Sequence, residues 1–209
     1  MKKPFIGVYN PSIILTYVGA FAAISGMGLL LSEYEHVGCA HALKWPMILL
    51  VIAGVCDLFD GRIARMCKRT DPEKQFGIQL DSLADTVSFV AYPACMLLFV
   101  TRADALGIII ACFYTFAGIM RLGWFNVTTE TNRGVYYGLP VTFAAALFPI
   151  LHVVWSLFSL SYQAVAFKIA FAVVGLCFIL NFKLKKPSLI GAICFVLLGI
   201  ATVTALILL

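Results

Sequence analysis

Asp57, Asp60, Asp81 and Asp85 stand close together in a chain that is otherwise oily, 62% hydrophobic and only 12% charged over 209 residues. Asp57 and Asp60 lie in DLFDGRIAR, residues 57–65, and Asp81 and Asp85 in GIQLDSLAD, residues 77–85. On a helix, residues 57, 60, 61, 64 and 65 share one face, and so do 77, 81 and 85 on the next. Two antiparallel neighbours joined by a short loop can turn these faces toward each other. Four like charges in so small a volume repel one another, and a divalent cation relieves the repulsion. The donor set is oxygen only, without His or Cys, which favours Mg²⁺ or Mn²⁺ over Zn²⁺. Four carboxylates suffice for two such ions, and paired ions suit a phosphate diester or anhydride whose leaving group must be neutralised.

The setting makes these residues costly. One Asp at the centre of a membrane helix costs about 2.5–3.5 kcal/mol, and four at the midplane would cost on the order of 10 kcal/mol. Their positions at the ends of two apolar runs place all four just inside one membrane interface instead. Gly61, Ala64 and Gly77 lie on the same stripes and remove side-chain bulk, leaving room for something other than packing. The competing structural reading pairs Asp57 and Asp85 with Arg62, Arg65 or Lys68 as interface charges. That pairing explains one carboxylate more easily than four on two facing stripes.

The elements that must position the carboxylates follow from composition. A soluble domain carries roughly 25% charged residues, and a mean hydropathy of +1.00 leaves too little polar surface to cover a water-facing globule. The expectation is all-α, a polytopic membrane helical bundle forming a single domain over residues 1–209. Apolar runs at 12–31, 43–66, 77–100, 103–124, 138–158, 162–182 and 188–208 give seven candidate spans. Lys2 and Lys3 ahead of the first run mimic a signal peptide, but the run is long enough to span and is read as a retained helix. With the N-terminus cytoplasmic, Lys2, Lys3, Arg62, Arg65, Lys68, Arg69, Lys74, Arg121, Arg133, Lys183, Lys185 and Lys186 fall inside, and only Lys44, Arg102 and Lys168 outside. The net charge of +5 is thus accounted for by topology and anionic headgroups, with no nucleic-acid partner. Seven cysteines without a C-x-x-C pair support neither a disulfide framework nor a zinc site.

The pattern D-x2-D-G-x2-A-R followed by G-x3-D-x3-D resembles the signature of the CDP-alcohol phosphotransferases. It is carried here by Asp57, Asp60, Gly61, Ala64 and Arg65, then Gly77, Asp81 and Asp85. The stretches NPSIILTYVG, QLDSLADTVSFVAYPA, RLGWFN and YGLP are similar to the branch that makes phosphatidylserine. Two departures stand out. Eleven residues, MCKRTDPEKQF, separate Arg65 from Gly77, a longer gap than the family's usual one, and Pro72 within it is expected to break the helix and lengthen a cytoplasmic loop. Trp124 stands where the branch often has a second Arg, which affects recognition of the acceptor's carboxylate.

The resemblance implies a six-helix core, here with one further C-terminal membrane helix, working as a homodimer. It implies transfer of a phosphatidyl group from CDP-diacylglycerol to L-serine, giving phosphatidylserine and CMP. On that reading Asp57, Asp60, Asp81 and Asp85 hold two Mg²⁺ or Mn²⁺ ions, and Asp85 also acts as the general base. Gly61, Ala64, Arg65 and Gly77 meet the nucleotide and its phosphates, and Arg121 and Asn126 are candidates for the acceptor. Alternatives are another acceptor, glycerol 3-phosphate or an inositol phosphate, and more distantly a cation transporter or a catalytically dead assembly protein. His36 and His41 are expected to face water in an outer loop, His152 to be a packing residue, and Lys183, Lys185 and Lys186 to anchor a loop to headgroups.

Overall fold

The computed structural model describes residues 7–8, 10–34, 40–128, 135–158, 162–185 and 189–209. Lys2, Lys3, His36, Arg133 and Lys186 lie outside the described residues, as do the side chains of His41 and Lys185. The chain is a helical bundle. A 3₁₀ turn, Pro11–Ile13, leads into α1 (Ile14–Ser32), and α2 spans Lys44–Met66. Next, α3 (Asp71–Asp85) runs through a π turn (Thr86–Ala91) into α4 (Tyr92–Val100) as one rod. The remaining helices are α5 (Ala105–Thr128), α6 (Ala144–Leu157), α7 (Gln163–Ile179) and α8 (Leu189–Leu208). Seven rods therefore correspond to the seven apolar runs.

Four of the helices, Pro11–Ser32, Asp71–Val100, Ala105–Thr128 and Gly191–Leu208, are long and apolar enough to cross a membrane. At 23 residues α2 is about 35 Å long, also enough to span, though it carries the charges of the site. The outward surface is apolar where a water-soluble bundle would be polar, with Phe21, Phe116, Ile169 and Leu197 all exposed. This is a membrane protein.

Small residues let the first two helices approach closely. Gly19, Ala22, Ala23 and Gly26 are buried on α1, and a Cβ at Gly19 would touch Cys56 Cβ at 3.4 Å, next to Asp57. Such small stripes are how membrane helices gain packing where burial from water offers little. At Gly26 the approach is closer still: a Cβ there would sit 1.8 Å from Tyr92 Oη, so only glycine admits the tyrosine, whose hydroxyl donates to the Pro46 carbonyl at 2.6 Å. The other half of the bundle is held by aromatic rings. Phe148 and Phe171 stack with centroids 3.9 Å apart, and Tyr114 packs on Phe171 at 4.9 Å and Phe178 at 5.2 Å. The Tyr114 hydroxyl donates to the Phe89 carbonyl inside the π turn at 2.7 Å.

Two short strands, β1 (Val135–Tyr137) and β2 (Lys183–Lys185), pair antiparallel with Tyr136 opposite Leu184. They join the connection after α5 to the one after α7. Gly138 turns the chain beyond β1 at φ +73°, where a side chain would be strained and would meet the Phe178 carbonyl at 2.9 Å.

The segment between Arg65 and Gly77 corrects the expectation for Pro72. The connection is only Cys67–Thr70, and the extra residues lengthen α3 by more than a turn toward its N-terminus. Pro72 sits in the first turn, where its missing N–H costs no hydrogen bond. Glu73 Oε2 accepts from the Thr70 N–H at 2.8 Å and from its hydroxyl at 3.0 Å, and Asp71 pairs with Lys74 at 2.8 Å. A proline placed after Thr and before Glu starts a helix rather than ending one.

Candidate active site

The C-terminal half of α2 and the C-terminal end of α3 face each other and bring the aspartates together. Asp57, Asp81 and Asp85 each offer an oxygen within 4.8 Å of the others, all three half-buried. Across the two helices Asp57 stands beside Asp85 and Asp60 beside Asp81. Asp60 stands one step outside the group of three; it is buried and accepts from the Thr16 hydroxyl of α1 at 3.0 Å. Among the described residues none of the four is ion-paired with Arg62, Arg65 or Lys68. Arg62 lies over the Phe59 ring at 5.9 Å instead. The structural reading of these aspartates as interface ion pairs is therefore removed. Three carboxylate oxygens at this spacing, with no softer donor among them, fit a hard divalent cation.

A cavity of about 200 Å³ adjoins the group, lined by Asp60, Gly61, Ala64, Arg65, Gly77 and Asp81 together with Ser12, Ile13, Thr16, Arg69 and Ile78. Every nucleotide-binding candidate from the motif lines it. A smaller recess reaches deeper, past Asp57, Asp85, Gly19, Ala53 and Ser88. Glycine has different effects at the two motif positions. A Cβ at Gly61 would make ordinary contact with Arg65 Nη1 at 3.9 Å, whereas one at Gly77 would press on Arg69 Nη1 at 3.2 Å.

The acceptor candidates separate. Asn126, near the end of α5, accepts from the Ser82 hydroxyl at 2.9 Å and so touches the helix that carries Asp81 and Asp85. Arg121 is buried and lines a different cavity, about 330 Å³, with Met120, Trp124, Phe178, Leu180 and Asn181, its guanidinium 5.6 Å from the Phe125 ring. His152 is fully buried and meets Gln163 at 3.0 Å, a satisfied packing residue far along α6.

Ser12 and Thr16 line the cavity without having been singled out from the sequence, and Arg69, read there only as one of the inner-side basic residues, lines it too. Asn10 caps the 3₁₀ turn by accepting from the Ser12 N–H at 3.1 Å, and this turn aims Ser12 and Thr16 at the cavity.

The helical fold agrees with comparison to known proteins. The chain belongs to the CDP-alcohol phosphatidyltransferase family, which it matches over residues 9–208. It is 33% identical over 102 residues to the CDP-diacylglycerol–serine O-phosphatidyltransferase of Helicobacter pylori (strain J99), covering 47% of this chain and 42% of that protein. To the Saccharomyces cerevisiae protein of the same name it is 35% identical over 141 residues, 63% of this chain and 48% of the relative. To the archaetidylserine synthase of Methanothermobacter thermautotrophicus it is 35% identical over 106 residues, 50% and 44%. The chain thus spans less than half the length of each of these relatives.

Proposed function

We propose that the protein transfers a phosphatidyl group from CDP-diacylglycerol to L-serine, giving phosphatidylserine and CMP. The observation that carries this reading is the convergence of Asp57, Asp81 and Asp85 within 4.8 Å beside a cavity that also holds Arg65. Asp57, Asp60, Asp81 and Asp85 hold two divalent cations, Mg²⁺ or Mn²⁺, which when bound draw negative charge from the diphosphate. Arg65 pairs with a phosphate oxygen, and the bare flanks at Gly61 and Ala64 admit the nucleotide. Asp85, which lines the deeper recess, takes the proton of the serine hydroxyl as its oxygen attacks phosphorus. The new P–O ester bond forms as the anhydride bond breaks, and CMP leaves with its electron pair. Asn126, tied to Ser82, positions the acceptor beside this centre; Arg121 attracts the acceptor's carboxylate from the neighbouring cavity.

The site faces the cytoplasm, where nucleotide and serine are dissolved, while two acyl chains stay in lipid; the chain works as a homodimer. The transporter reading fits poorly, because beyond the aspartates the bundle is filled by Met47, Leu50, Phe89, Met96 and Leu97, all essentially inaccessible. The competing reading keeps the reaction and changes the acceptor to glycerol 3-phosphate or an inositol phosphate.

The test feeds the purified protein CDP-diacylglycerol with labelled serine, glycerol 3-phosphate or inositol phosphate in turn. The expected result is labelled lipid with serine alone, abolished by chelation and restored by Mg²⁺ or Mn²⁺. Product with another acceptor reassigns the substrate, and undiminished turnover in chelator removes the metal roles.

A further inference from the structure

The cavity beside the aspartates carries both signs of charge, and the motif accounts for only one of its two guanidiniums. Arg69 lies four residues after Arg65, in the connection Cys67–Thr70, and its side chain lines the cavity with Asp60 and Asp81. Its placement is specific. The backbone beside it is pinned by the two hydrogen bonds from Thr70 to Glu73, and the absence of a side chain at Gly77 leaves the space that Nη1 occupies. Lys68, its neighbour, is exposed and lines no part of the cavity.

Two features show that the guanidinium is placed for something that the chain itself does not supply. Among the described residues Arg69 forms no ion pair, although two carboxylates line the same cavity. Its Nε is buried and finds no hydrogen-bond acceptor there. A buried N–H of a charged group left unmatched is costly, and an anion entering the cavity removes that cost. Carboxylates that accept cations and guanidiniums that accept anions, unpaired with each other in one cavity, together match a ligand that brings both: a diphosphate with its counter-cations.

We infer that Arg69 is a second phosphate-binding residue of the donor pocket, holding, with Arg65, the diphosphate of the nucleotide-linked lipid. The identity of the anion rests on the phosphatidyl-transfer reading; the need for an anion comes from the cavity. Arg69 contacts the donor and not the acceptor, so it acts on donor affinity.

The experiment compares wild type with Arg69→Ala, Arg69→Lys and Lys68→Ala in detergent micelles containing magnesium. Affinities for CDP-diacylglycerol and for inorganic pyrophosphate are measured by calorimetry, and KM is measured for donor and for serine. Arg69→Ala is expected to weaken both ligands roughly ten- to hundredfold, the loss of a charge-assisted hydrogen bond. Donor KM rises in parallel, serine KM and the unfolding temperature stay at wild type, Arg69→Lys recovers part, and Lys68→Ala matches wild type. Unchanged affinity for both ligands in Arg69→Ala, or a rise confined to serine KM, overturns the inference. Should Arg69→Ala fail to fold, Arg69→Lys decides: donor affinity equal to wild type overturns it, weaker affinity supports it. A wild type that binds pyrophosphate but not CDP-diacylglycerol, with Arg69→Ala losing the pyrophosphate, keeps the role of Arg69 while sinking the phosphatidyl-transfer reading.

Discussion

At the level of single residues, the four aspartates divide into two kinds of work. Asp60 is buried and held by Thr16, which fixes its orientation before any ligand arrives. Asp85 borders the deeper recess beside Asp57, with Ser88 and Ala84 around it, and on the proposed function it serves both a cation and the reacting hydroxyl. Asp85→Asn keeps the shape and removes the basicity. Its kcat is expected to fall about 10²–10⁴-fold, the range for loss of a general base. CDP-diacylglycerol binding should persist, because Asp57, Asp60 and Asp81 remain. Turnover and equilibrium binding of the same preparation check this, and near-normal turnover would strip Asp85 of its role.

At the level of helices, the site depends on how α3 is seated. Its carboxylates are aimed by the Thr70–Glu73 start at one end and by the π turn at the other, and α5 presses on that turn. A Cβ at Gly118 would come 2.7 Å from Val90 Cγ2, so Gly118→Leu must push α5 away from the π turn and strain the Ser82–Asn126 bond. Overpacking of this kind costs about 1–3 kcal/mol. A lowered unfolding temperature in detergent, with a loss of activity larger than that of an exposed control such as Gly123→Leu, is the expected outcome.

The same elements show what the sequence could and could not convey. The seven apolar runs and the two acidic stripes were legible because helical periodicity and span length are local properties. Pro72 misled because breaking and starting a helix use the same residue, and only the Thr70 and Glu73 partners distinguish the two. The π turn left no local mark in the sequence; in the fold its Phe89 and Val90 contact Tyr114 and Gly118 of α5. Thr16 and Arg69 reach the cavity through tertiary placement, which spacing along the chain does not encode. Arg121, an acceptor candidate from the sequence, lines a cavity set by α7, a partner the sequence could not specify.

For the molecule as a whole, the asymmetric distribution of basic residues becomes an arrangement of ends. The Lys44 ammonium donates to the Ile207 carbonyl at 2.9 Å, so the start of α2 and the end of α8 share one face of the bundle, away from Arg65 and Arg69 at the other end of α2. On the proposed orientation that face is extracellular. In a background lacking the native cysteines, the Leu209→Cys thiol should react with an impermeant reagent on intact cells. The Lys68→Cys thiol should react only after permeabilisation, and the reverse pattern would invert the topology and the access of both soluble substrates.

The α5–α7 pair is fastened at both extremities, by the Lys168–Asp104 ion pair at one and by the β1–β2 ladder at the other. Fastenings at both extremities oppose sliding and splaying of these two rods. On the proposed function, a two-tailed donor would enter from the flank where α1 and α3 border the acidic pocket, the side these fastenings leave free.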